Sequence, residues 1–100
     1  MSEQDIQDIK RIALEYRESV LNGDSSKNMC WVITQPLSLL LSEEYGIENE
    51  IVKYDVYTGL SVTEHFCIKI GRKILDATAD QFGLEKIYYG SRPVWYSDSK

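Results

Sequence analysis

His65-Phe66-Cys67-Ile68-Lys69-Ile70-Gly71-Arg72-Lys73-Ile74-Leu75-Asp76 decides the fold, because it reads as a β-hairpin that carries a histidine and an aspartate. Two alternating apolar runs flank Gly71-Arg72, a two-residue loop with glycine first, which suits a type II′ turn. Counting outward from that turn, Ile70 faces Lys73, Lys69 faces Ile74, Ile68 faces Leu75, Cys67 faces Asp76 and His65 faces Thr78. Strand side chains alternate, so His65, Cys67 and Lys69 share a face with Ile74, Asp76 and Thr78, while Phe66, Ile68, Ile70 and Leu75 take the other. His65 and Asp76 become diagonal neighbours with Cβ atoms within about 7 to 8 Å, close enough for their side chains to hydrogen-bond. A carboxylate that orients an imidazole is half of a nucleophilic triad; the other half would be a thiol or hydroxyl from elsewhere, and Cys30 is the candidate.

Upstream of the hairpin, residues 3–21 predict a helix, with Ile6, Ile9, Ala13, Tyr16 and Val20 on one stripe, Ser2 or Asp5 as its cap, and Asn22-Gly23 as its stop. The opposite face, with Glu3, Lys10, Arg17 and Glu18, reads as solvated surface. A polar loop, residues 22–28, then leads to Met29-Cys30-Trp31-Val32-Ile33 and a helical pattern through Leu37, Leu40 and Leu41 to Tyr45. Asn28 is the expected N-cap and Gly46 the expected stop. Cys30 then lies in the first helical turn, where free N–H groups and the helix dipole favour a thiolate, and its own N–H is available to an oxyanion. Pro36 should kink this helix or open a second segment of it. The plainer reading of Cys30 is a small buried apolar residue.

Residues 51–57 alternate as a half-buried strand, with Val52, Tyr54 and Val56 on one face, and Thr58-Gly59-Leu60-Ser61 turns toward the hairpin. Ala77 to Gly83 reads as irregular. A Tyr-rich stretch follows at Ile87-Tyr88-Tyr89, and Val94-Trp95-Tyr96 is expected to add an edge strand, with these aromatics serving packing. Ser97-Asp98-Ser99-Lys100 reads as a frayed end.

One hundred residues, 43% apolar and 27% charged, fit one globular domain over 1–100. No apolar run reaches eighteen residues, and the acidic start Ser2-Glu3-Gln4-Asp5 is unlike a signal or transit peptide, so a cytoplasmic protein without membrane insertion is expected. A net charge of −5 without a basic patch argues against nucleic acid and anionic membrane as partners. In a reducing compartment the two cysteines are expected as free thiols.

The order Cys30, His65, Asp76, on a helix start, a strand and the neighbouring strand, resembles the papain-like and transglutaminase-like cysteine enzymes, a group that includes arylamine N-acetyltransferases and bacterial cell-wall peptidases. Thirty-five residues separate Cys30 from His65 and eleven separate His65 from Asp76, as in compact members. The stretch from His65 to Gly83, with Asp-Ala-Thr-Ala-Asp-Gln-Phe at 76–82, is similar to the second half of small bacterial and phage proteins of this type; the resemblance covers roughly residues 28–83. It implies Cys30 as nucleophile, His65 as general base and then acid, and Asp76 as the group orienting the imidazole. Asp80 and Gln81 would fix the loop after the catalytic strand, Asp80 standing in if Asp76 points away, and Asn28 is the guess for a second oxyanion donor. The implied chemistry is acyl transfer to water or an amine, without a cofactor. A chain this short favours a protein or peptide substrate in a surface groove.

Two other uses of the same residues exist. Cys30, His65, Cys67 and Asp76 could hold zinc, or Cys30 and Cys67 could form a disulfide. From a different class, an inactive member of the fold could serve as a protein-binding module. The expected architecture is α+β, a papain-like minimal core with two N-terminal helices packed on an antiparallel sheet of about three to five strands. The face bearing His65 and Asp76 should look toward the start of the second helix.

Overall fold

The computed structural model describes residues 2–98. The fold is α+β, two helices on a five-stranded antiparallel sheet. Helix α1, Glu3–Leu21, starts at a capping box: the Ser2 Oγ accepts from the Asp5 N–H, and the Asp5 carboxylate accepts from the Ser2 N–H. It ends where Asn22 enters the left-handed region (φ 48°). Helix α2, Cys30–Tyr45, starts at Met29 rather than Asn28, and Gly46 closes it at φ 64°. Asn28 lies one residue before the cap, in the left-handed region at φ 63°, and Met29 takes the cap position without a side-chain capping bond. Pro36 lies inside α2 without dividing it. The carbonyl it leaves without a donor is that of Val32, one turn earlier on an exposed face where water can replace the bond.

Strands β1 (Glu50–Tyr57), β2 (Val62–Ile70), β3 (Lys73–Asp76), β4 (Tyr88–Gly90) and β5 (Tyr96–Asp98) run in the spatial order β4-β3-β2-β1-β5. The β2–β3 ladder has the register counted from the turn, Ile70 to Lys73, Lys69 to Ile74 and Ile68 to Leu75. Gly71 has φ 61° and Arg72 does not share it, as a type II′ turn requires. Ala79–Phe82, expected to be irregular, form a short 3-10 helix. The last strand begins at Tyr96, later than expected, because Val94 and Trp95 turn the chain. Ser97 and Asp98 are therefore paired with β1 rather than frayed, and Ser99 and Lys100 lie outside the described residues.

The sheet separates two cores. Ile68, Ile70 and Leu75 pack under Ile9, Ile12 and Ala13 of α1 and Ile33, Leu37 and Leu41 of α2. The opposite face gathers Tyr54, Val56, Cys67, Ile74 and Tyr96, with Phe82 and Trp95 over them. Hence the helix bodies cover the face away from His65, and only the start of α2 turns toward it.

One helix residue departs from its expected place. Arg17 is not solvated but 4% exposed, with its guanidinium bridging Asp80 through two contacts of 2.7 Å and donating to the carbonyls of Ala77 and Lys86. It continues the Ile9–Ala13 stripe at a spacing of four, so burial of that stripe carries it inward. No helix among the described residues is long and apolar enough to cross a membrane.

Candidate active site

The site forms where β3 stops. Beyond Asp76 the chain leaves the sheet, so the part of β2 before Cys67 has no β3 partner. The N-terminal turn of α2 fills that gap: the Thr34 hydroxyl donates to the Phe66 carbonyl at 3.2 Å, and Trp31 packs edge-on against the Phe66 ring at 4.7 Å. The backbone N–H of Phe66 helps to lower the pKa of the Cys30 thiol. A helix lying on one face thus delivers its first residue to a histidine on the other.

His65 and Asp76 are both 0% exposed, with His65 Nε2 2.6 Å from Asp76 Oδ2. The Asp76 carboxylate accepts three further bonds. The Thr78 N–H (3.0 Å) and hydroxyl (3.4 Å) donate to Oδ1, and the Tyr96 hydroxyl donates to Oδ2 at 2.7 Å. The imidazole is clamped edge-on by Phe82 at 4.8 Å and Tyr96 at 5.6 Å. Strands β3 and β5 are three strand spacings apart, about 14 Å in a flat sheet. A direct Tyr96–Asp76 bond therefore requires the sheet to curl around this face.

With Nε2 occupied by Asp76, Nδ1 is the nitrogen left for the half-buried Cys30 thiol. Nδ1 has no partner of standard hydrogen-bond geometry, yet hydrogen bonding to His65 acts on the thiol. A contact somewhat longer or more oblique than a standard bond reconciles the two, as is common before substrate binds. Burial works against the Cys30 thiolate, but the His65 hydrogen bond, the Phe66 N–H, the imidazolium charge and the Trp31 N–H outweigh it and hold its pKa below the ordinary thiol value. Burial likewise opposes the imidazolium, while hydrogen bonds and charge from Asp76 and Cys30 raise His65 to about 9. The two shifts favour a thiolate–imidazolium pair at neutral pH.

The other sequence candidates lie around this pair in different roles. Asp80 does not reach His65; it binds Arg17 and accepts from the Ser26 hydroxyl at 2.6 Å, tying the loop before Cys30 to the 3-10 helix and α1. Gln81 donates to the Thr78 hydroxyl, which in turn meets Asp76. Asn28 is exposed two residues before Cys30, on a groove of about 450 Å³ that it shares with Ser26, Thr63, Gln81 and Phe82. A second groove of about 400 Å³ continues past Gln81 and Phe82 to Tyr57 and Trp95. A larger cavity of about 470 Å³, between Ile9, Tyr45 and Ile70, is remote from the chemistry. Cys67 is a buried free thiol whose pKa is pushed up by its burial and by the charges of Asp76 and Cys30. Among the described residues no three of His, Cys, Asp and Glu are arranged to hold a metal ion, so the four zinc candidates do not form one centre.

Tyr96 is the site residue that sequence reasoning missed. Its polar tip gives no local signal, because its partner lies twenty residues away on a strand it does not pair with. Comparison with protein-family models, with curated proteins and with solved structures found no match for this chain. Its function must be read from these residues.

Proposed function

We propose that this chain is a cysteine-dependent acyl-transfer enzyme, an amide hydrolase of the papain-like and transglutaminase-like kind, acting in the cytoplasm on a protein or peptide. The observation that carries this reading is a buried His65–Asp76 pair whose free ring nitrogen is left to the thiol of Cys30, a residue at a helix start. The Cys30 thiolate attacks the substrate carbonyl carbon, forming a C–S bond while the carbonyl electrons move onto oxygen. The Cys30 N–H, at the first helical position and without an intrahelical acceptor, supports that oxyanion, with Asn28 as a second candidate donor. Collapse breaks the C–N bond, and the proton on Nδ1 passes to the leaving amine. Water then adds to the thioester, giving its proton to Nδ1, and the thiolate departs. Asp76 keeps the ring oriented throughout. The open grooves beside Asn28, Gln81 and Phe82 suit an extended substrate.

The test is p-nitrophenyl acetate with the parent protein and with His65→Ala. A burst of nitrophenolate equal to the protein concentration, with the acetyl group on Cys30 by mass spectrometry and lost in His65→Ala, is the expected result. Absence of any acetyl-Cys30 would overturn it and favour the second reading, an inactive fold used as a binding module. That reading is favoured by the complete burial of the imidazole.

A further inference from the structure

We propose that Tyr96 is a positioning residue of this site, its hydroxyl locking the Asp76 carboxylate onto His65 and thereby making the C-terminal strand a member of the relay that holds Cys30 as a thiolate. The inference rests on the acyl-transfer reading above and extends it by a fourth residue, on strand β5. Oδ1 of Asp76 is fixed by the Thr78 N–H and hydroxyl, whereas Oδ2 is shared by His65 at 2.6 Å and Tyr96 at 2.7 Å. Without the phenol, Oδ2 is held by the imidazole alone, and a carboxylate pivoting on Oδ1 can turn away from the ring it must hold. Tyr96 is itself fully buried, packed against the rings of Trp95 (5.0 Å), Tyr54 (5.9 Å) and Phe82 (6.0 Å), so its hydroxyl has a fixed aim. Burial and the neighbouring Asp76 charge raise its pKa, which keeps the phenol protonated and donating.

The strand that carries Tyr96 has little else to hold it. Three residue pairs join β5 to β1, with the Tyr57 N–H donating to the Trp95 carbonyl and Arg92 meeting Asp98 at 3.1 Å. The ionisable groups facing Asp76 and His65 are Cys67 on β2, Cys30 on α2, Tyr88 on β4 opposite Asp76, Tyr96 on β5 and, farther off, Arg17 on α1. Of these only His65 and Tyr96 contact Oδ2.

The experiment compares the pH profile of Cys30 alkylation by iodoacetamide in the parent, Tyr96→Phe, Tyr54→Phe and His65→Ala, with Cys30 and Cys67 mapped separately by mass spectrometry. Tyr96→Phe keeps the ring packing and removes only the hydroxyl; Tyr54→Phe makes the same deletion on the neighbouring ring, which does not touch Asp76. In Tyr96→Phe the acid limb is expected to move to higher pH and the rate at pH 6 to fall about tenfold, the scale of one hydrogen bond to a charged group. Tyr54→Phe should follow the parent. A Tyr96→Phe profile matching the parent while His65→Ala loses its low-pH reactivity overturns the role of Tyr96 alone, as does an equal shift in Tyr54→Phe. Parent-like profiles in both His65→Ala and Tyr96→Phe remove the acyl-transfer reading itself. Should Tyr96→Phe fail to fold, the parent labelled with 13C at tyrosine Cζ decides in mixed H2O and D2O. A slowly exchanging Tyr96 hydroxyl gives two resolved isotope signals, and a single averaged signal overturns the lock.

Discussion

The carboxylate of Asp80 holds the guanidinium of Arg17 through two contacts of 2.7 Å, across sixty-three residues of chain, with Arg17 only 4% exposed. Ser26 joins the same carboxylate, so one ion pair fastens helix α1, the loop leading to Cys30 and the 3-10 helix that places Phe82 against His65. The burial of its cation makes this pair unlike the surface bridges of Arg11 and Lys53.

Asp80→Ala is therefore expected to cost about 3 kcal/mol, because it strands a buried cation. Urea unfolding measures this, and a change under about 0.5 kcal/mol would place the pair among ordinary surface bridges. Arg17 holds the Asp80 pKa below the usual carboxylate value. That contribution is complete above the unfolded carboxylate value and is lost as pH falls through the lower folded one.

His65 has the opposite pH dependence. The native state raises its pKa from 6.5 to about 9, so the folded protein holds the proton more tightly than the unfolded chain. The stability this confers is complete below about 6.5 and disappears as pH rises through about 9, a loss on the order of 3 kcal/mol. Because the Cys30 pKa is lowered in the same pair, the fall is expected above about pH 8.5, where the unfolded thiol is ionised too: urea midpoints from there to pH 10 should drop in the parent and stay flatter in His65→Gln.

Cys30 and Cys67 should separate by burial. Cys30→Ala, at a half-exposed helix start, is expected to change stability by less than about 0.5 kcal/mol, whereas Cys67→Ala opens space in the second core and should cost about 1 to 2 kcal/mol. Equal costs in thermal unfolding would mean that Cys30 is a packing residue.

Thr34→Val tests how α2 is seated. The substitution keeps the shape and removes the donor to the Phe66 carbonyl. A loss of about 1 to 3 kcal/mol is expected from the unsatisfied carbonyl, together with slower Cys30 alkylation at pH 7 as the helix start loosens. Parent-like stability and alkylation would show that the Trp31–Phe66 contact alone holds the turn in place.

Local signals carried much of the fold. The bounds of α1, the β2–β3 register and the stop at Gly46 each follow from periodicity, caps or a glycine turn within a few residues. The same applies to the His65–Asp76 pair, since two strands joined by a tight turn leave little freedom in which residues meet. Arg17 did carry a signal, its place four residues after Ala13 and four before Leu21 on the buried stripe, but charge argued against burial while its partner was unknown. Strands β4 and β5 are three residues each and have no periodicity to read.

By itself the sequence determined the α+β class, the order of its elements and the face shared by His65 and Asp76, because hydrogen-bonding period and turn geometry act over short stretches of chain. Only the tertiary structure decided that the helices cover the other face, that α2 enters the gap left by β3, that Asp80 serves Arg17 rather than His65, and that Tyr96 completes the Asp76 carboxylate. Those outcomes depend on sheet curl and on pairing between groups twenty to sixty-three residues apart. There the energy of burying a charge or a hydroxyl depends on which partner the fold brings to it.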